Sequence, residues 1–204
     1  MNLTIGSGDV HSLMQKKETK GFQDLLRKFV DENKPYYNAL ASPIDALRTG
    51  ALLEQRYLET LGDDYFIQYK VTNEGMNVFT SSLDFAKIDH GTLVDFDELK
   101  TLHLTEYISI IQPLAEMPEE LYILTIKKKF KAYYYQVQIQ LFCSNLNSCN
   151  LVFLSVTSYD DDENMFREIN PNDFHKFRIS RDESVINEIK EKAEIFQTIK
   201  NYFI

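Results

Sequence analysis

The sequence predicts an α/β fold: a central mixed sheet with an antiparallel hairpin, flanked by helices. Three observations predict it. Residues 22–33 and 43–61 carry apolar side chains at helical spacing. Residues 78–88 and 92–102 are two strand-like runs joined by Asp89-His90-Gly91, a hairpin signature. A further apolar run, 150–157, reads as a buried strand and is separated from the hairpin by helical stretches. Helices, antiparallel strands, helix, strand, helix is the order of a sheet packed between helices.

Residues 9–16 read as a short helix. Leu25, Leu26 and Phe29 share one face of the helix over 22–33, which Pro35 ends. Ser42 and Pro43 suit the N-cap and first position of the next helix. That helix carries Leu47, Leu53, Glu54, Tyr57 and Leu58, and Gly62-Asp63-Asp64 stops it. Residues 65–71 alternate as a strand, and Asn73-Glu74-Gly75 is a turn, so three antiparallel strands are expected through residue 102. Residues 105–112 and 119–128 look helical, with Pro113 and Pro118 as punctuation. Residues 130–142 form a helix with Phe130, Tyr134, Val137 and Leu141 in one stripe. A short strand over 165–169 and a long amphipathic helix over 180–202 complete the chain. No repeat, low-complexity tract or Pro/Gly linker divides it, so one domain over 1–204 is expected.

Composition narrows the function classes. Hydrophobic content of 44% supports one sizeable core. The net charge of −9 argues against a generally basic nucleic-acid-binding surface, although a local basic patch can still hold a polyanion. Cys143 and Cys149 make neither a disulfide framework nor a zinc motif and read as buried thiols. Four scattered histidines lack metal-ligand spacing, and Asp160-Asp161-Asp162-Glu163 lacks the glycine and spacing of a calcium loop. There is no apolar leader and no membrane-length apolar run, so a cytoplasmic location with no membrane partner is expected.

The chemistry concentrates on a dispersed polar set. Strand alternation points Glu98 and Lys100 the same way while Leu99 enters the core. An E-x-K triplet alone is usually a solvated strand face. Asp84, across the expected hairpin, adds a second carboxylate. Oxygen ligands of this kind suit Mg²⁺, and a divalent ion can activate water and stabilise a leaving oxygen in phosphodiester cleavage. Lys100 would orient the attacking water and offset developing charge. Glu54, inside a helix with Gly50 one turn earlier, is a third candidate. Gln138 lies beside an apolar stripe, where a buried amide needs partners. Gln136 and Gln140 lie one turn apart on one face. Lys127, Lys128, Lys129 and Lys131, with Tyr134 nearby, form a dense basic cluster that could contact a DNA backbone.

Five segments in order carry a resemblance: 5–11, Gly50-Ala51-Leu52-Leu53-Glu54, Ser82-Leu83-Asp84-Phe85, Glu98-Leu99-Lys100, and Tyr134-Tyr135-Gln136-Val137-Gln138. They are similar to the motifs of the lambda-type phage recombination exonucleases, the YqaJ family, within the PD-(D/E)xK nuclease superfamily. Leu83 and Phe85 replace a proline and a glycine of that pattern, and Gly8 stands where a serine is usual. The resemblance implies a restriction-endonuclease-like core. It implies two Mg²⁺ or Mn²⁺ ions on Glu54, Asp84, Glu98 and the Leu99 carbonyl, with Lys100 as the catalytic lysine and Gln138 as an active-site polar residue. The implied activity is 5′→3′ degradation of one strand of linear double-stranded DNA, leaving a 3′ strand for a single-strand annealing protein. A ring-shaped homotrimer is the implied assembly. An endonuclease of the same superfamily, or a catalytically inactive DNA-binding accessory protein, are the alternatives.

Overall fold

The structure is a computed structural model and describes residues 3–31, 45–157 and 167–203. Its sheet has six strands: β1 (Ile5–Gly6), β2 (Tyr65–Thr72), β3 (Phe79–Asp89), β4 (Thr92–His103), β5 (Ser148–Val156) and β6 (Phe174–Ser180). The order is β1-β3-β4-β5-β6, and β2 also pairs with β3. The β1–β3 and β4–β5 pairs are parallel and the other three antiparallel, so the sheet is mixed, as the sequence predicts. His90 and Gly91 turn the β3–β4 hairpin with φ of 47° and 79°. Positive φ at both central residues is what a tight two-residue hairpin turn requires.

The helices are α1 (Val10–Leu13), α2 (Lys20–Val30), α3 (Asp45–Leu58), α4 (Leu104–Glu106), α5 (Gln112–Ala115), α6 (Glu119–Lys129), α7 (Lys131–Ser144) and α8 (Glu183–Phe203). A π turn, Tyr107–Ile111, joins α4 to α5. Helices α4 to α7 form the crossover that the parallel β4–β5 pair needs.

Strand alternation sorts the core into two layers. Phe96 and Leu102 of β4, Leu151 and Phe153 of β5, and Phe177 and Ile179 of β6 join the larger cluster with α7, α2 and α8. Phe22 and Phe29 of α2 there pack edge-on against Phe196 of α8, at 5.8 and 5.0 Å between ring centres. Leu99, Val152, Leu154 and Val156 face the other way and meet Leu53 and Tyr57 of α3. Helix α7 is buried on nearly all sides, so it lies in the middle of the molecule. Cys143 and Cys149 are buried free thiols; burial pushes Cys143 up to about 11 and Cys149 well above its ordinary value.

The structure corrects two boundaries. Residue 169 lies outside any strand, and residues 165 and 166 lie outside the described residues. The last strand is instead β6, whose Lys176 and Arg178 alternate with Phe177 and Ile179. Ser180 ends β6, and α8 begins three residues later because Asp182 caps it, accepting from the Val185 N–H at 3.2 Å. Ser42 and Pro43 lie outside the described residues. Among the described residues no helix is long and apolar enough to cross a membrane.

Candidate active site

The site forms where the β3–β4 ladder opens. Pairing runs from Asp89 and Thr92 to Phe85 and Asp97 and is not continued by Asp84 and Glu98. On the other side of β3, the β2 ladder also skips one position, leaving Gln68 opposite Asp84 unpaired; Gln68 has φ of +52°. Asp84 therefore sits between two interruptions. Its Oδ2 accepts the Leu99 N–H at 3.0 Å, a donor the ladder would otherwise have used. In an extended strand a residue's N–H and C=O point to the same side, so the Leu99 carbonyl faces this gap as well.

Glu98 is fully buried on the α7 side. Lys100 Nζ donates to its Oε1 at 2.5 Å, and Gln136 Nε2 donates to the same oxygen at 2.5 Å. Gln140 Nε2 donates to Oε2 at 2.5 Å and to the Ser82 carbonyl at 3.2 Å. These are charge-assisted bonds, and they compensate the burial of a carboxylate. Lys100 Nζ also lies 5.4 Å from the centre of the Tyr133 ring. Glu54, on α3, approaches from across the gap, and its Oε2 accepts from Gln68 Nε2 at 3.5 Å.

The electrostatics join these groups into one centre. Burial raises the Glu54 carboxyl above its ordinary range, and the charge of Glu98 raises it further, against the opposing pull of Lys100. Asp84 is pushed well up, first by burial and then by Glu98. Burial alone would pull the Lys100 ammonium down; the charges of Glu98 and Asp84 overcome that and hold it above its ordinary value. Lys100 is thus a fixed cation that orients and stabilises rather than a base.

Two open cavities flank the centre. One of about 200 Å³ is lined by Gly50, Glu54, Leu99, Lys100 and Tyr133 among others. The second, about 670 Å³, is lined by Gly6, Ser7, Gln68, Asp84, Gln136 and Lys200 among others. Gln136 and Asp84 reach the larger one, and Glu54 and Lys100 the smaller.

Four of the residues singled out in the sequence come together here: Glu54, Asp84, Glu98 and Lys100. Gln138 does not join them. Its Nε2 donates to the Ser180 carbonyl at 3.0 Å, and its Oε1 accepts the Asp182 N–H at 2.7 Å. It pins the β6–α8 junction, because two residues along a helix from Gln136 is the wrong face. Gln136 and Gln140 take the place expected of it. Tyr134 is likewise buried, with its hydroxyl on Asp182 at 3.0 Å, so its ring offers no surface to a polyanion. Lys127 is paired with Asp182 at 2.8 Å. Asp182, partly buried, is nonetheless held below its ordinary range by bonds from Lys127, the Val185 N–H and Tyr134. Lys128, Lys129 and Lys131 remain exposed. Gln68 carried no signal in the sequence, since its role rests on a backbone angle.

The donor set suits a hard dication in kind: three carboxylates and a backbone carbonyl against one ammonium. Among the described residues no three His, Cys, Asp or Glu side chains converge on one metal position. Glu98 explains this, since both its oxygens are turned onto Lys100 and the α7 amides.

No protein-family model matches the sequence, and the comparison with curated proteins finds no match. Solved structures do match over nearly the whole chain. An alkaline exonuclease, LHK-Exo, from Laribacter hongkongensis superposes with a TM-score of 0.64 at 19% identity, covering 97% of this chain and 88% of that one. The same protein in complex with dAMP gives 0.61, at 19% identity, over 97% and 87%. A phage-related exonuclease from Haemophilus somnus gives 0.60 at 14% identity, over 100% of this chain and 98% of that one. The fold is that of these exonucleases. A mixed sheet flanked by helices is therefore the shared fold, as the motif resemblance implies.

Proposed function

We propose that this protein is a metal-dependent deoxyribonuclease that degrades linear double-stranded DNA from an end. The observation that carries the reading is the charge excess at the opened β3–β4 ladder. Burial and mutual repulsion raise Glu54 and Asp84, while Lys100 stays protonated beside Glu98. A divalent cation is the ligand that relieves such a centre. Glu54, Asp84, Glu98 and the Leu99 carbonyl would hold Mg²⁺ or Mn²⁺, two ions by the motif resemblance. Glu98 would release one amide partner to do so. When bound, the metal supplies an activated water and Lewis-acid stabilisation of the scissile phosphate. Lys100 orients the nucleophile and stabilises charge on the phosphate. Gln136 and Gln140 fix the Glu98 carboxylate.

The shared exonuclease fold supports end-dependent action, and one of the compared structures holds dAMP, a product-sized nucleotide. Lys128, Lys129 and Lys131 are the proposed backbone contacts. The motif resemblance further supports 5′→3′ polarity, hand-over of the 3′ strand to an annealing protein, and a ring-shaped trimer around the duplex. The test compares linear with covalently closed duplex DNA, in Mg²⁺, Mn²⁺ or EDTA, for the wild type and Glu98→Ala. Metal-dependent nucleotide release from linear DNA, lost in the variant, is expected. Cutting of closed circles would replace the exonuclease with an endonuclease, and no hydrolysis with either metal would end the enzymatic reading. End-labelled substrates read the polarity in the same assay.

A further inference from the structure

We infer that Gln68 is a positioning residue for this centre, holding Glu54 in register with Glu98 from a strained point in strand β2. The inference rests on the nuclease reading above.

Hydrogen bonds link the two glutamates through Gln68, Ser82 and Gln140, passing from the Ser82 hydroxyl to its carbonyl by covalent bonds. Gln68 Nε2 donates to Glu54 Oε2 at 3.5 Å, and Gln68 Oε1 accepts from Ser82 Oγ at 2.8 Å. The Ser82 carbonyl accepts from Gln140 Nε2 at 3.2 Å, and that same nitrogen donates to Glu98 Oε2 at 2.5 Å. The relay crosses α3, β2, β3, α7 and β4, which are all the elements that build the site. One amide serves as donor at one end and acceptor at the other. A shorter side chain, or one without both functions, breaks the connection.

The backbone supplies a second, independent observation. Gln68 lies mid-strand with φ of +52°, a conformation that glycine adopts freely and asparagine tolerates. Glutamine there is strained, and such strain persists where the surroundings impose it, characteristically at functional sites. The kink interrupts pairing opposite Asp84 and leaves Gln68 lining the larger cavity beside Asp84 and Gln136. Nothing in the apolar packing asks for it, since Ile67 and Tyr69 on either side are exposed. The kink and the relay therefore serve one end: they fix where the Glu54 carboxylate stands.

Gln68→Gly and Gln68→Asn test this together. Both suit the positive φ, and neither reaches Ser82 and Glu54 at once. Three quantities are measured: metal-free thermal unfolding, binding of Mn²⁺ alone by calorimetry, and nucleotide release from linear duplex. Metal-free Gln68→Gly should melt at or above the wild type. Both variants should bind Mn²⁺ about tenfold or more weakly, the size expected when a ligand loses its outer support. Release should slow in parallel. Wild-type Mn²⁺ affinity in both variants overturns the inference, and so does weakened binding matched by a lower melting temperature in both. A wild type that neither binds Mn²⁺ nor cuts DNA overturns the nuclease reading itself.

Discussion

Strand β4 presents carboxylates to both faces of the sheet, and the two faces treat them differently. Toward α3, Asp97 is fully buried, and its oxygens accept from Tyr57 Oη, Asn150 Nδ2 and Lys176 Nζ, each at 2.7 Å. Asp95 pairs with Arg178 at 2.8 Å, and Arg178 also binds Asn150 and Ser148. Two carboxylates meet two cations. Burial and the charge of Asp97 raise the Tyr57 hydroxyl far above its ordinary range, so it stays a donor. Around the gap, Asp84, Glu98 and, from α3, Glu54 all act on the ammonium of Lys100. The balanced network is complete as it stands and belongs to the architecture. The unbalanced one is held together by the fold, and under the proposed function a bound cation would complete it.

The largest effect that separates the two networks is on rate. Lys100→Met leaves the carboxylates and removes the fixed cation. Single-turnover release from linear duplex should fall about 10²–10³-fold, as when a charge-stabilising group is deleted. Melting of the variant, followed by circular dichroism, should still be cooperative. A variant that keeps the wild-type rate would leave Lys100 no more than a structural counter-ion, like Lys176.

Asp97→Ala should do the reverse. It strands the Lys176 ammonium, the Tyr57 hydroxyl and the Asn150 amide, at a cost of about 3 kcal/mol in unfolding free energy. Urea titration reads this directly. Loss of nuclease rate with stability unchanged would erase the distinction between the faces.

Helix α7 repeats the contrast on a smaller scale. Gln138→Ala leaves the Ser180 carbonyl and the Asp182 N–H unpaired and should cost about 1–3 kcal/mol in stability. Gln136→Ala touches Glu98 through one bond and lines the cavity. It should lower the rate while shifting stability less than Gln138→Ala does. Equal stability losses in the two variants would show that both amides are structural.

The layers of the fold were legible because alternation and helical periodicity are properties of the sequence. The hairpin at His90-Gly91 is an example, since its turn chemistry is local. Glu98 and Lys100 were legible for the same reason: a strand places them on one face whatever surrounds it. Gln138 was misplaced by one half-turn, because a helix this deeply buried has partners on every side and the apolar stripe cannot say which. The one-turn spacing of Gln136 and Gln140 was the available signal. Strand β6 was hidden by its cations, which point at Asp95 and Asp97, partners more than 75 residues away in the chain. Gln68 was invisible, because a positive φ at a glutamine follows from tertiary context alone.

The gentlest perturbation, Asp84→Asn, sharpens the comparison through pH. Asp84 has a folded pKa raised above its ordinary value near 3.8, first by burial and then by Glu98. The folded protein therefore holds this proton more tightly than the unfolded chain does, and ionising Asp84 costs stability. The cost is absent below the unfolded pKa, grows as pH rises toward the folded one, and is complete above it. Asparagine keeps an oxygen for the Leu99 N–H and carries no charge. At neutral pH without metal, Asp84→Asn should thus melt higher, by about 3 °C if the relief is about 1 kcal/mol in a chain of this length. The gain should shrink as pH falls toward 4. Saturating Mn²⁺ should invert the order, since a dication bound to the folded state stabilises the wild type in proportion to its affinity, and the variant has lost a ligand. Differential scanning fluorimetry across pH, with Mn²⁺ and with EDTA, reads all three trends. A variant less stable than the wild type in EDTA at neutral pH would mean that the gap holds its carboxylates as comfortably as the α3 face holds Asp97, and the case for a cation there would be lost.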